Sequence, residues 1–457
     1  MKFEGQYLNG KRVGNGKEYN VNGVLIFIGE YLNGRRNGKG KEYNANGILI
    51  FEGEYLNGER RNGKAKEYNE YDELQFEGEY LNGEINGKGK EFYNDDKILF
   101  EGEYLNGERH GKGKEYYDNG KLKFEGEYLY GEKSGKSKEF YKTGNILFEG
   151  EYLNGKRIGK GKEYDYYGRL IFEGGYLNGE RIGKGKEFDN GVLKFEGLYI
   201  KGKRDGKGKE YNNNSELIFE GEYLKGERNG RGKEFYDNGL IQYEGEYCNG
   251  KKNGKGKKYD QYGSLIYEGE YLNGKRNGKG TEYYNGEIEF EGIYANDCRI
   301  EGLGREYYFN GNIYYEGEYL RGKRNGMGRE FYINGKLDYE GEYLDDKRNG
   351  KGKEYYDDGK ILFEGEYLNG KRNGNGKEYN INGDIKFEGE YENGLRNGKG
   401  KEYFDNILDF EGEFLKGKRN GRGKEYYING KIKFEGEYLN GKRKGKGQEY
   451  DYNGNPK

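Results

Sequence analysis

The sequence predicts an all-β protein, an elongated twisted antiparallel sheet forming a solenoid-like rod of nineteen stacked β-hairpin repeats. Three observations carry that expectation. One unit, FEGEYLNGKRNGKGKEYYxNGKLI, recurs from Phe3 to Lys457 at a period of about 24 residues, and self-similarity at such a period marks a repeat architecture. Within it, runs such as Leu99-Phe100-Glu101-Gly102-Glu103-Tyr104 alternate apolar or small residues with acidic ones, the period of a half-buried strand. Asn-Gly pairs separate the runs, and both residues tolerate the positive φ that tight hairpin turns need.

Slots are counted from the aromatic that opens each unit. The first strand ends at the aromatic of the fifth slot, and a turn-rich loop follows, as in Asn106-Gly107-Glu108-Arg109-His110-Gly111. A second strand, Lys112 to Tyr117, leads to the turn Asp118-Asn119-Gly120 and the next unit. The array runs over 3–457 as one domain with no separate catalytic segment. The units at Phe51 and Phe290 are longer than the rest by a single residue, expected in the hairpin loop (Arg60-Arg61; Arg299-Ile300-Glu301). Those at Phe172, Tyr267 and Phe387 are shorter by one, lost in the connecting turn. A slip inside a strand would send its aromatics to the wrong face.

Gly holds the third slot throughout, and the fourteenth except at Ala65 and Ser137. Mid-strand glycine marks close approach of a backbone or ring, so these small residues are expected to leave room for the rings of neighbouring strands. The eighth slot is Gly, or Asp at Asp297 and Asp346, which points to positive φ. Aromatics of the first, fifth and seventeenth slots are the expected core. One repeat buries too little to order its own backbone; stacking supplies the rest. Hairpin pairing sets Glu101 and Glu103 opposite Lys114 and Lys112. A bulge near Lys114-Glu115 is then needed to bring Tyr116 to the core.

Composition bounds the function. Hydrophobic residues are 31%, charged residues 36% and mean hydropathy -1.30, yet the net charge is only -2 and aromatics reach 16%. The chain lacks the basic excess of a nucleic-acid binder, so no nucleic acid is expected. No stretch suits a membrane span or a secretory leader. Cys248 and Cys298 form neither a disulfide framework nor a zinc pattern, so a reducing, cytoplasmic compartment is expected, with attachment to a membrane or cytoskeletal structure as a peripheral option. The sequon at Asn213 then carries no weight.

No constellation is unique enough for an active site. His110 reads as a surface loop residue, and Glu101 with Glu103, repeated in unit after unit, as a solvated ion-pair face. Gly131-Glu132-Lys133-Ser134-Gly135-Lys136-Ser137 is one residue short of a phosphate-binding loop and lacks its strand-to-helix context. Neither catalytic residue, metal nor cofactor is expected, and the chain is read as no enzyme.

The pattern resembles the MORN repeat family (membrane occupation and recognition nexus). Phe363-Glu364-Gly365-Glu366-Tyr367-Leu368-Asn369-Gly370 and the later Gly374-Asn375-Gly376 match it slot for slot. Tyr in place of Trp at the fifth slot, and a unit mostly one residue longer than the family's, make it similar to the variant subgroup that includes bacterial antitoxin-like proteins. The resemblance implies twisted antiparallel sheets, with roles ranging from membrane and cytoskeletal scaffolding to regulatory modules.

The leading expectation is therefore a non-enzymatic scaffold that binds unidentified protein partners. The alternative is a peripheral membrane protein that meets acidic phospholipid, or another polyanion, through basic hairpin tips: Lys11, Arg12, Arg35, Arg36, Lys275, Arg276, Lys371, Arg372, Lys418 and Arg419. A small enzyme or toxin-neutralising partner is a third. Self-association is also expected through the edge strand near Lys2 to Tyr7, with Pro456 as a stop at the other end.

Overall fold

The computed structural model describes residues 2–94 and 96–457. Among them the regular structure is antiparallel strand, thirty-eight strands at two per repeat. The chain divides into two compact units, Met1–Asn229 and Gly230–Lys457. Within each, strands run as a meander in which a strand pairs with its predecessor and its successor, as at Glu108–Tyr116 in the first unit and Lys371–Tyr379 in the second.

The repeat at Phe363 shows the construction. Its strands, Ile361–Leu368 and Lys371–Tyr379, are joined by Asn369 and Gly370 alone. These two have φ of 51° and 86°, the double positive φ of a turn whose twist matches a right-twisted hairpin. The longer loop expected from the sequence therefore contracts to Asn106-Gly107 in the repeat at Phe100, and Glu108 already belongs to the second strand. The slack appears within the hairpin as a bulge. Gly365 pairs with Gly376 and Tyr367 with Arg372, so Asn373, Gly374 and Asn375 together face Glu366 alone. Gly374, in the middle of these, has φ of 77°. At the eighth slot the positive φ extends to Asp297 and Asp346.

This bulge changes the expected charge register. Glu101 does face Lys114, but Glu103 does not face Lys112 within the hairpin. Glu103 meets Lys88 of the preceding repeat and Lys112 meets Glu127 of the following one. A second bulge lies at Glu115/Tyr116, one position beyond the expected place, and its extra residue, Lys123, is on the opposing strand. Alternation through Tyr116 is thus kept. The seventeenth slot faces away from the rings, which corrects its assignment to the core. The Tyr116 hydroxyl donates to Glu101 at 2.6 Å instead.

The core consists of the first and fifth slots, as in Phe363 and Tyr367, Phe100 and Tyr104. Their rings meet edge to face: Phe363 lies 5.6 Å from Tyr367 and 5.1 Å from Tyr391 of the next repeat. Such geometry adds about 0.5–1.5 kcal/mol per pair beyond burial. The paired glycines make the layer possible. A Cβ on Gly365 would stand 2.6 Å from Gly376 Cα and 2.7 Å from Phe363 Cζ, and one on Gly376 would enter the same ring.

In the three shorter repeats the loss does fall in the connecting turn, which becomes a tight, double-positive-φ turn at Asn190-Gly191, Asn285-Gly286 and Asp405-Asn406. The two longer repeats depart from expectation. Their hairpin turns keep the usual length, and the additional residue enters the second strand, Glu59–Tyr68 or Cys298–Tyr307. The pair then slides: Phe51 faces Ala65 and Phe290 faces Gly304, where other first-slot aromatics face the sixteenth slot. The turn keeps its geometry, and the bulge shortens to a single unpaired residue, Arg61 or Ile300, as the second strand slides past it. After the last strand, Tyr450 bridges back to Pro456.

Gly365→Ala is expected to cost about 1–3 kcal/mol by overpacking. Gly370→Ala meets nothing within 4 Å and carries only the left-handed backbone cost of about 1–2 kcal/mol. Urea denaturation of the two variants, with hydrogen exchange reporting on the neighbouring repeats, tests the difference. Only Gly365→Ala should loosen the ring layer across repeats.

Candidate interaction surface

The hairpin presents two chemically different faces, because successive residues of a strand point to opposite sides. On the ring face, the tenth-slot arginine lies over the first-slot aromatic. The Arg109 guanidinium carbon is 4.1 Å from the Phe100 centroid, and that of Arg372 is 4.2 Å from Phe363. This stacking is favourable where water is partly excluded. Such an arginine can reach two sixteenth-slot glutamates. Arg109 donates at 2.8 Å to Glu91 of the preceding repeat and at 2.8 Å to Glu115 of its own. Arg396 bridges Glu378 at 2.6 Å and Glu402 at 2.8 Å in the same way. Fifth-slot tyrosines join: Tyr104 donates to Glu91 at 2.6 Å and Tyr367 to Glu354 at 2.7 Å. Lys133 and Lys252 stand in for arginine over Phe124 and Tyr243.

This ladder fixes the ionisation of its members. Burial opposes charge on Glu139, but Lys133, Tyr152 and Arg157 outweigh it and bring the carboxyl down to about 2. Glu91, Glu354 and Glu378 are likewise lowered against burial by their arginine partners. Burial, reinforced by the adjacent glutamate, raises the Tyr104 and Tyr367 hydroxyls.

The expected basic tips therefore separate into two groups. Lys11, Arg35, Lys275, Lys371 and Lys418 are exposed beside the hairpin turns. Arg12, Arg36, Arg276, Arg372 and Arg419 belong to the ring face, half-buried and paired with Glu18, Glu42, Glu282, Glu354 and Glu402 among others. Sequence reasoning treated each dipeptide as one basic tip. A usable signal was present. Once the two insertions are allowed for, the sixteenth slot is Glu everywhere but Lys258, and it shares the parity of the ring-facing glycine two positions earlier.

The opposite face is polar. Second-slot glutamates meet fifteenth-slot lysines of the preceding repeat, as in Lys41–Glu52 at 2.9 Å and Lys424–Glu435 at 3.3 Å. Fourth-slot glutamates turn toward the bulge, where the Lys88 and Lys351 amides donate to Glu79 and Glu342. In the second unit this face holds a groove of about 1000 Å³, with Gly341, Gly365 and Gly389 among its lining and Glu364, Lys377 and Glu388 beside them. Near the hairpin turn the sixth-slot leucines stand exposed, Leu344 and Leu368 each at 51%. The connecting turns are joined from repeat to repeat by tyrosine, as where Tyr356 donates to the Tyr379 carbonyl at 2.9 Å. Sequence reading had no signal for that contact.

His110 lies in the second strand with its ring against Tyr130 at 5.7 Å. Cys248 and Cys298 are free and exposed. Among the described residues there is no His, Cys, Asp and Glu grouping that fits a metal, and no helix long and apolar enough to cross a membrane. The segment 131–137 forms a hairpin turn and strand, not a phosphate loop.

Arg348→Gln should cost about 1.5–3 kcal/mol, the scale of hydrogen bonds to charged groups, because it takes the guanidinium donors from Glu330 and the ion pair at 3.7 Å from Glu354. The lowered carboxyls also set an acid limit. Their contribution is complete above the ordinary value of 4.5 and is lost as pH falls through the folded-state values, about 2 for Glu139. The urea midpoint should be level above about pH 5 and decline steadily toward about pH 2. A profile that stays flat over that whole acid range would remove the ladder from the stability account.

Comparison with known proteins follows the same pattern. The family model described as MORN repeat matches residues 3–24, 27–48, 76–97, 100–121, 148–166, 195–216, 219–241, 243–261, 267–287, 315–336, 339–361, 363–385, 387–406, 410–432 and 434–455. The MORN repeat variant matches 133–154 and 300–320. Among curated proteins none matches. A crystal structure of TcdB2-TccC3-Cdc42 is similar at 9% identity over 93% of this chain and 27% of that one, with a TM-score of 0.16. A structure of the Photorhabdus luminescens Tc holotoxin pore is similar at 10% identity over 95% and 29%, with a TM-score of 0.15. The chain spans less than a third of either, and so loose a superposition carries no argument.

Proposed function

The chain belongs to the MORN repeat family, whose repeats are generally protein- or membrane-binding modules, and from that premise we propose that it is a non-enzymatic scaffold that binds protein partners along its repeats. The repeat fold points the same way, toward a protein without catalysis. The observation that carries the reading is the use made of its charge. Strongly held carboxyls such as Glu91, Glu139, Glu354 and Glu378 are engaged in the ring-face ladder, so the perturbed ionisation is explained by architecture. What remains outside is a recurrent polar face with exposed leucines and charged turns, suited to gripping an extended partner at repeated points. The exposed, free thiols of Cys248 and Cys298 accord with a reducing, cytoplasmic setting.

A second reading rests on one feature of the second unit, the pairing of exposed leucine with exposed lysine at successive tips, Leu344 with Lys347 and Leu368 with Lys371. Leucine beside lysine suits the surface of an anionic bilayer. Flotation with vesicles of phosphatidylcholine, alone or with a phosphoinositide, separates the two. The scaffold stays at the bottom with either vesicle. Flotation that needs the phosphoinositide and is lost in Lys371→Glu with Lys418→Glu would replace it with the peripheral-membrane reading.

A further inference from the structure

The ninth slot, first residue of the second strand, carries runs of opposite charge in the two units. In four consecutive repeats of the first unit it is Glu59, Glu84, Glu108 and Glu132. In the second unit it is Lys323, Lys347, Lys371 and Lys418, with Leu395 between the last two. All of these residues are exposed. Among the described residues the four glutamates enter no ion pair, and of the lysines only Lys323 does so, at 3.4 Å from Asp345 in the next turn. Each acid or base is paired across its hairpin with an exposed sixth-slot leucine: Leu56, Leu81, Leu105 and Leu129 with the glutamates, Leu320, Leu344, Leu368 and Leu415 with the lysines. These leucines are 37% to 51% exposed.

Both rows repeat at two strands per unit, about 10 Å. The acidic row thus presents one leucine and one charge in each of four successive repeats, and the basic row presents them at the same interval from Lys323 to Lys371 and again at Lys418, two repeats further on. Two such rows fit each other: leucine against leucine removes apolar surface from water, and glutamate against lysine sets the register and rejects like-with-like pairing. Asp345-Asp346, in the turn before Lys347, and Glu392, which takes the sixth slot opposite Leu395, weaken the basic row at two positions, whereas Arg321 and Lys416 strengthen it at two others.

We propose that the acidic tip row of the first unit docks against the basic tip row of the second unit in another copy of this chain. The partner is identified by complementarity of charge, spacing and apolar content, independently of the scaffold reading. Because the two patches differ, the contact is heterologous in kind, and because its charges are exposed it is sensitive to salt.

Sedimentation velocity of the full chain tests it. The sedimentation coefficient should rise with concentration at about 50 mM NaCl, and the association constant should fall about tenfold or more at about 500 mM. A first variant carries Glu59→Lys, Glu84→Lys, Glu108→Lys and Glu132→Lys. A second carries Lys323→Glu, Lys347→Glu, Lys371→Glu and Lys418→Glu. Each alone should lose association by at least about tenfold, while an equimolar mixture of the two regains it. Circular dichroism should show unchanged strand content, since only exposed tips are altered. A wild-type chain that stays monomeric at low salt, or variants that associate alone as well as wild type, overturns the proposal. So does a monomeric wild type whose lysine row instead binds phosphatidylserine vesicles, which would give that row to a membrane.

Discussion

A phenyl or phenol ring lying across two adjacent strands is the constraint on which the rest of this structure rests. It is seated where the strands leave room beneath it, and the third and fourteenth slots supply that room in register, as Gly365 opposite Gly376, with the small Ser137 beside Gly126 under Phe124 as the exception. With the ring seated on backbone, its outer face is free to receive a guanidinium, and the edge-to-face contact with the next fifth-slot ring follows from the strand spacing. Glycine inside a strand ordinarily weakens it. Here the ring that replaces the missing side chain offsets that cost, and it does so across two strands at once.

From the ring follows the placement of charge. An arginine stacked over Phe363 or Tyr339 can turn its donors only sideways along the sheet, where sixteenth-slot glutamates of two successive repeats lie. Glu354 consequently accepts from Arg372 and lies 3.7 Å from Arg348. Partly buried ion pairs add little to stability when both partners could be exchanged for apolar groups, but they are costly to break singly. In a repeating sheet such pairs have a second effect. They penalise any slip of register that would set a carboxylate over a ring.

The hairpin count, the glycine rows, the first- and fifth-slot core and the shortened connecting turns were legible because each is a matter of period or of backbone chemistry. Asn-Gly gives its turn wherever it falls. The seventeenth slot was misread because its aromatic character was taken as a sign of burial, whereas Tyr116 uses its hydroxyl on Glu101 of the polar face. The tips were misread for a related reason. Arg372 and Lys371 are neighbours in sequence yet face opposite sides, and the two-residue turn, which pairs them with Tyr367 and Leu368 and leaves the slack to a bulge, decides which. A bulge leaves little trace in composition, so parity beyond it cannot be carried forward from the first strand. The location of the inserted residues in the second strands at Arg61 and in Cys298–Tyr307 was hidden by the same ambiguity.

Those two longer hairpins carry a consequence for anything that reads the surface. Elsewhere the interval between equivalent side chains is constant, so a partner with its own regular pitch can keep step from one repeat to the next. Where Phe51 faces Ala65, and again where Phe290 faces Gly304, the second strand slides along the first by two residues. The turn pairs Leu56 with Glu59 and Leu81 with Glu84 stay in step, while beyond the bulge the second strand is displaced against the first. A single inserted amino acid is thereby taken up away from the turns, so that a partner reading the tips keeps step across it.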